Sequence, residues 1–481
     1  MTDLPDNLSC GEQARLIPVV ADTSKEVRAV SIVLAAMTAV PTFAKVLLGS
    51  IGQTVGVRSN LHCFTEVEFK KCLEEKRCRP DGLICVDGKR ALPWNSIVEA
   101  KIGRNELQAE QITQYVALAK LNDVDAIITI SNQFSALPTH HPLRLPKSSL
   151  KGIALYHWSW TSIVTHIMLL LGDMGVEDQD QQYILQEVLR YLSHESVGIS
   201  RFDRMNPEWK DLVSKVQSGT PLSKSDAEVE RSVAAWEQVS RNISLLMTQK
   251  IGTQVRLVMS RAQAEDPSIR LRDDCDLLVG EHQLRCVLDV PDAAAAMKII
   301  ADFQRRSLMV SMELTAPKDK QRASSRINWL IRQLAKSATN DLYIRARWPG
   351  RAGDTQTALA EARDNAAALE RGREGMIPNS FEVLLVRDLG AKFSGAKTFI
   401  EALEEIVPYF YEQVGQHLRP YIANPPKLKD DRQADSAEQQ SSASTESQTP
   451  SSPEVEPLVH TSPSDTPAVT EPTEDHAEPI N

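Results

Sequence analysis

The sequence predicts a mixed α/β protein with an αβββαβ block at the N-terminus, a helical middle region, a second α/β region and an acidic tail without fixed structure. Three observations carry this. Over the first 150 residues, short apolar runs typical of buried strands alternate with helix-opening signals. Between 151 and 250 the apolar residues sit in helix-like stretches, and strand-like runs return after about 251. Beyond Tyr421 there is no aromatic residue and Ser, Thr, Pro, Glu and Asp dominate, so the segment cannot bury enough apolar area to offset its ordering entropy. The expected domains are 1–150, 151–250, 251–424 and a disordered tail over 425–481.

Taken in order, Thr23-Ser24-Lys25-Glu26 reads as a capping box opening a helix toward Gly49 or Gly52, kinked at Pro41. Strand-like pieces follow at Cys63 to Phe69, Gly82 to Val86 and Ser96 to Ala100. Asn105-Glu106-Leu107-Gln108 fits a second capping box before a helix reaching about Lys120, and Ala126 to Ile130 is a β-branched buried strand. Helices are expected at Thr161 to Leu171, Gln181 to Leu192 and Ala227 to Met247. Later strands are expected at Val255 to Met259, Leu277 to Val279, Leu284 to Val290, Met309 to Leu314 and Leu342 to Arg347. Helices near Ser324 to Leu334 and Lys397 to His417 complete the second α/β region.

Of the 481 residues, 42% are hydrophobic and 25% charged, enough to bury real cores. The most apolar stretch, Val30 to Ile51, is broken by Ser31, Thr38, Pro41 and Lys45, and reads as a core helix, not a membrane span. The first residues lack the pattern of a signal peptide. Seven cysteines form no disulfide scaffold, and a cytoplasmic protein is expected. The formal charge of −10 is concentrated at the end, since residues 430–481 hold 12 acidic residues and only Arg432 as a base. Residues 1–429 carry 53 basic and 52 acidic residues, net +1, so overall acidity does not exclude a nucleic-acid partner.

The chemistry-bearing stretch is Arg79 to Tyr115, with Pro80-Asp81-Gly82, Glu99-Ala100-Lys101 and Gln111-Ile112-Thr113-Gln114-Tyr115. Glu-x-Lys recurs at Glu68, Glu74 and Glu208, but only the copy at Glu99 ends an apolar strand with an acidic residue at the start of the strand before it. Alternation puts Glu99 and Lys101 on one face of a strand. Gln111 and Tyr115, four apart, share a helix face. Asp81 and Glu99, with the backbone carbonyl of Ala100, suit Mg²⁺ or Mn²⁺, which prefer oxygen ligands. Lys101 beside them can orient a water and neutralise charge building on a phosphorus centre, while Gln111 and Tyr115 can orient Lys101 or the phosphate. The bland readings are a turn at Asp81-Gly82, a surface ion pair at Glu99 and Lys101, and ordinary helix positions.

Together these residues resemble the PD-(D/E)XK (restriction-endonuclease-like) nuclease superfamily, in particular its RecB-type branch with a QxxxY motif. The resemblance covers about 110 residues. It implies an αβββαβ core, an acidic pair holding Mg²⁺ or Mn²⁺, and hydrolysis of DNA or sometimes RNA. Members often carry a further acidic residue on the first helix. Glu26 stands at that place as a metal ligand, although its spacing from Thr23 favours the capping-box reading. His62 is available as the branch's upstream histidine but reads as an ordinary residue, and Glu66 and Glu68 could also reach a metal. Cys63, Cys72, Cys78 and Cys85, separated by 8, 5 and 6 residues, match neither a zinc pattern nor the branch's iron–sulfur ligands, and read as free thiols.

Residues 318–351 contain nine basic residues, among them Arg322, Arg326, Arg345 and Arg347, interleaved with Trp329, Tyr343 and Trp348. Such a stretch is either a nucleic-acid groove or a solvated basic face. His157, Trp158 and Trp160 read as packing at the entrance to the helical region. Three functions follow: a metal-dependent nuclease acting on DNA, in processing or defence; a catalytically silent nuclease-fold module in a stress or defence system; or an unrelated α/β protein. No phosphate loop or nucleophile elbow supports the last. The expected partners are nucleic acid, most simply DNA, and a homodimer mate or protein partner, with no membrane.

Overall fold

The computed structural model describes residues 4–18, 24–56, 59–73, 78–88, 93–103, 105–146, 148–172, 175–337 and 341–423. The tail expected from residue 425 and Thr23 of the first capping box lie outside them. Two sheets organise residues up to 423. The first begins with β1 (Leu8–Gln13), followed by α1 (Lys25–Ala39) and α2 (Pro41–Gly49). Next come β2 (Ser59–Phe69), β3 (Gly82–Gly88), β4 (Trp94–Ala100), α3 (Ala109–Leu121), β5 (Ala126–Ser131) and β6 (Ala154–Ser159). Helices α4 (Trp160–Leu171), α5 (Gln179–Ser193), α6 (Trp209–Gln217) and α7 (Ala227–Ile251) lead to the second sheet.

That part contains β7 (Arg256–Leu257), α8 (Arg261–Glu265), α9 (Pro267–Glu281), β8 (Gln283–Asp289), β9 (Met297–Asp302) and β10 (Ser307–Thr315). It closes with α10 (Ala323–Gln333), β11 (Leu342–Arg347), β12 (Thr355–Ala358), α11 (Leu359–Asp364), β13 (Ser380–Asp388) and α12 (Ala396–Phe410).

The expected helix, three strands, helix and strand are present as α1–β2–β3–β4–α3–β5, joined in one sheet of order β1-β2-β3-β4-β5-β6. The first four strands pair antiparallel, whereas β4, β5 and β6 run parallel. Strands β1 and β6 were not anticipated. Of β1 only Leu8 is buried, so it carries no alternating signal, and β6 holds His157 and Trp158, expected to be a helix entrance. Pro41 separates α1 from α2 with a bend of 111°, because its ring cannot continue the first helix. No single helix among the described residues is long and apolar enough to cross a membrane.

Both faces of the first sheet are covered, which explains the near-continuous apolar strands. Ile84, Val98, Ile128 and Trp158 point into a core with α1, α2, α4 and α5. Leu83, Ile97 and Ile127 face α3. Cys63 and Cys85 therefore lie on opposite faces. The helical region is not a separate layer: α4 and α5 belong to the first core, α6 and α7 to the second. The cores divide near residue 200, not at 150 and 250. The second sheet, β12-β11-β13-β10-β9-β8-β7, is antiparallel throughout. Its core clusters Trp209 with Phe303, Phe393 and Phe399, ring centroids 4.6–5.9 Å away. The strand expected at Leu277 to Val279 is the last part of α9, a helix opened by Pro267 and capped by Asp266.

Helix α1 crosses β3 at Gly82. A Cβ there would meet Leu34 Cδ1 at 2.8 Å, the Phe64 carbonyl oxygen at 3.1 Å and Val30 Cγ1 at 3.3 Å. Gly82 is thus a packing requirement more than a turn residue. Gly82→Ala is expected to destabilise the protein by about 1–3 kcal/mol through overpacking. Denaturant unfolding tests this, and a loss below about 0.5 kcal/mol would contradict the close approach of α1.

Candidate functional site

Strand register brings the two carboxylates together. Gly82 pairs with Val98 across β3 and β4, so Asp81, one residue earlier, falls beside Glu99. The ladder from β2 ends there, where Glu66 adopts a φ of 50° and its amide donates to the Asp81 carbonyl at 3.1 Å. The Asp81 Oδ2 atom accepts the Ala100 amide at 2.8 Å. On the other side, Ala100 pairs with Ile130 of the parallel β5, and the Lys101 amide donates to the Ile130 carbonyl at 2.8 Å.

Glu99 is 2% exposed. Its Oε1 accepts hydrogen bonds from the Lys101 ammonium and from Gln111 Nε2, the latter at 2.8 Å. Gln111 Nε2 also donates to the Tyr115 hydroxyl at 3.1 Å. Glu99, Lys101, Gln111 and Tyr115 thus meet as strand alternation and helix spacing require, α3 presenting both of its residues to β4. The Glu99 Oε2 atom is buried without a hydrogen-bond partner. Burial, then the charge of Glu99, pushes the Asp81 carboxyl up to about 8 against the pull of the Ala100 amide and Lys101. Burial works to lower Lys101, but Glu99 and Asp81 outweigh it and leave the ammonium more basic than usual. Burial, then Glu99, raises the Tyr115 phenol, which stays protonated.

At neutral pH Asp81 keeps its proton and Lys101 balances Glu99, but the Glu99 Oε2 acceptor is left unfilled. That donor set fits a divalent cation held by Asp81, Glu99 and the carbonyl of Ala100. Among the described residues no group of three or more His, Cys, Asp or Glu side chains forms a metal cage. Glu26 lies close enough for its charge to act on Asp81 and Lys101, but its Oε1 accepts the Ile102 amide at 3.1 Å and Asn105 Nδ2 at 2.8 Å. The N-cap of α1 is Ser24, with no side-chain cap, and Glu26 reaches across to the loop after β4. The second capping box does not form either: α3 starts at Ala109 behind Gln108, and Asn105 is spent on Glu26.

That loop is held from several sides. Trp160 Nε1 donates to the Lys101 carbonyl at 2.9 Å. The Gly103 amide donates to the Gly198 carbonyl at 3.1 Å, and Asn132 Nδ2 donates to the Gly103 carbonyl at 3.1 Å. Trp160 and Asn132 are therefore positioning residues that sequence reasoning missed, since nothing local links them to Lys101. His62 pairs with Cys85, four residues along β3 from Asp81, about 13 Å away and outside the cluster. Glu66 faces Arg79 at 3.4 Å, and Glu68 pairs with Cys10 on β1.

Two clefts flank the pair. One of about 560 Å³ is lined by Arg79, Gln108, Gln111, Gln114 and Tyr115, and one of about 350 Å³ by Lys25, Glu26, Ile102, Gly103 and Gly198. The basic stretch of the second sheet is largely committed internally. Arg326 is buried and donates to the carbonyls of Lys320 at 2.7 Å and Pro378 at 2.8 Å. Arg345 pairs with Glu382 at 2.8 Å, and Arg347 with Glu313 at 3.0 Å. Arg322 stands exposed before α10. Trp348 is buried with Nε1 on Thr355, and Trp329 packs against the core.

No protein-family model, no curated protein and no solved structure matches this chain.

An unfolded aspartate titrates near 3.9. Between about 4 and about 8 the folded chain therefore keeps a proton on Asp81 that the unfolded chain releases, and stability from this group falls as pH rises across that window. Asp81→Asn removes the dependence. In the presence of EDTA, the Tm advantage of the variant over wild type should be larger at pH 8 than at pH 5, and equal differences at the two pH values would contradict the shift.

Proposed function

We propose that residues 24–131 form a metal-dependent nuclease unit of the PD-(D/E)XK kind that hydrolyses phosphodiester bonds, with DNA as the substrate. The observation that carries this is the meeting of Lys101 and Gln111 on Glu99 Oε1, with Tyr115 behind Gln111 and Asp81 held alongside by the Ala100 amide, while the buried Glu99 Oε2 is left without a hydrogen-bond partner. Mg²⁺ or Mn²⁺, when bound by Asp81, Glu99 and the Ala100 carbonyl, would supply Lewis acidity and a more acidic water.

The remaining work falls to the chain. Lys101, kept charged by its two carboxylate neighbours, is placed to orient the attacking water and to offset the negative charge that grows on the phosphoryl oxygens. Gln111 fixes the rotamer of Glu99 from α3, and Tyr115 anchors Gln111 in turn. Trp160 and Glu26 hold the backbone that carries Lys101, which matters because a misplacement of about 1 Å can cost on the order of 100-fold in rate.

The test is cleavage of linear and circular, single- and double-stranded DNA with Mg²⁺ or Mn²⁺. Wild type should cut, and Glu99→Ala, which removes a carboxylate that would hold the metal, should reduce the rate by about 100- to 1,000-fold, the range for losing one preorganised electrostatic contribution. Binding without cutting by both proteins would favour a silent binding module. Neither binding nor cutting would overturn the nuclease reading.

A further inference from the structure

Three of the large apolar side chains most open to solvent lie in one place: Leu16 at 37%, Ile17 at 85% and Tyr183 at 64% exposure. They line a groove of about 570 Å³ between the segment after β1, helix α1 and helix α5. The spacing along α5 explains the groove. Ile184, Val188 and Tyr191 follow one another at intervals of four and three residues and form an apolar floor with Ile32 of α1. Tyr183, Glu187, Arg190 and His194 run alongside at similar intervals as the rim. An apolar surface of this kind, open to water, marks a binding site.

Resting on the nuclease reading above, we infer that this groove receives an unpaired base of the nucleic-acid strand that passes the carboxylates. Its volume suits a planar group or small ligand. Tyr183 and Tyr191 line the groove, and stacking on aromatic rings is the usual way to hold single-stranded bases. Basic groups that could meet a phosphate backbone lie beside the groove: Lys25 is hydrogen-bonded to the Ser196 carbonyl and Arg28 is near enough to act on the Tyr191 phenol, while Arg190 on the rim is paired with Glu187.

The groove is also continuous with the site. The turn at 194–198 contributes His194 and Ser196 to the groove, Val197 to both, and Gly198 to the cleft beside Glu26 and Ile102. Lys25 Nζ donates to the Ser196 carbonyl at 2.7 Å and ties the turn to the start of α1. Along α1, Glu26 and Ile32 are six residues apart, about 9 Å, which is on the order of two or three stacked nucleotides.

The experiment measures binding of a labelled oligo-dT strand, and of a blunt duplex, to the full chain in EDTA, with cleavage in Mg²⁺ followed in parallel. Tyr183→Ala and Ile17→Ser, both at exposed positions, should each weaken single-strand binding, the former by about tenfold, and leave duplex binding unchanged. Tyr183→Trp should keep the affinity and Tyr183→Leu should not, because only an aromatic face stacks. Unchanged single-strand affinity in both variants, or full rescue by Tyr183→Leu, would overturn the base-binding groove while leaving the nuclease reading intact if Mg²⁺-dependent cleavage persists. A wild type that binds only duplex would also overturn it. A change in sedimentation on Ile17→Ser would instead make the groove a contact between copies. Wild type that neither binds nor cuts would remove both readings.

Discussion

Burying a carboxylate costs several kcal/mol unless donors surround it, and Glu99, almost wholly withdrawn from water, has donors on one oxygen only. Much of the N-terminal region follows from that charge. Lys101 has to emerge on the same face of β4, α3 has to lie against that face to deliver Gln111, and Asp81 has to be held by the Ala100 amide so that two carboxylates can share one end of the sheet. The second carboxylate responds by keeping its proton to about pH 8. The arrangement is electrostatically incomplete by itself, a form in which binding sites often store their affinity.

The sheet makes this possible by changing direction at β4. Antiparallel pairing with β3 fixes the register that sets Asp81 against Glu99, while parallel pairing with β5 and β6 forces long crossovers that supply α3 and the loop after β5. That loop is anchored by a buried relay. Thr129 Oγ1 lies 2.8 Å from both His141 Nε2 and His157 Nδ1, and His157 Nε2 lies 2.9 Å from the Gln133 carbonyl. Burial drives His141 down to about 3 and His157 to about 4, so both remain neutral and serve as fixed dipoles. The same loop reaches the second core, where Gln238 accepts the Phe134 amide at 3.2 Å and the Ala264 carbonyl lies 2.9 Å from His140 Nε2. Helices α7 and α8 thereby brace the loop that carries Asn132, one of the groups fixing the backbone beyond Lys101.

The element order from Ser24 to Ser131 was legible because each piece carries a local signal: β-branched runs for strands, Pro41 for the break, helical spacing for α3. Faces were legible for the same reason, so Glu99 with Lys101 and Gln111 with Tyr115 could be paired before any contact was known. Other elements were not. Residues 380–388 read SFEVLLVRD, an apolar run that suits a buried helix as well as a strand, and only pairing with β10 and β11 makes it β13. Leu277 to Val279 carries strand-like residues yet continues α9, because tertiary packing outweighs three residues of propensity. Local spacing also misassigned Glu26 and Asn105, each placed in a capping box when the tertiary structure gives it a partner 79 residues away.

By itself, then, the sequence determined which short segments are strands or helices around the carboxylates and which side chains share a face, since both depend on neighbours within a few residues. Only the tertiary structure decided the register between β3 and β4, the closure of α1 over Gly82, and the hold of Trp160, Asn132 and Glu26 on the Lys101 loop. It also decided that Arg326, Arg345 and Arg347 are occupied within the second sheet and that Leu16, Ile17 and Tyr183 gather in one groove. These are long-range contacts, fixed by packing and by pairing buried polar groups across distant parts of the chain, and no local periodicity encodes them.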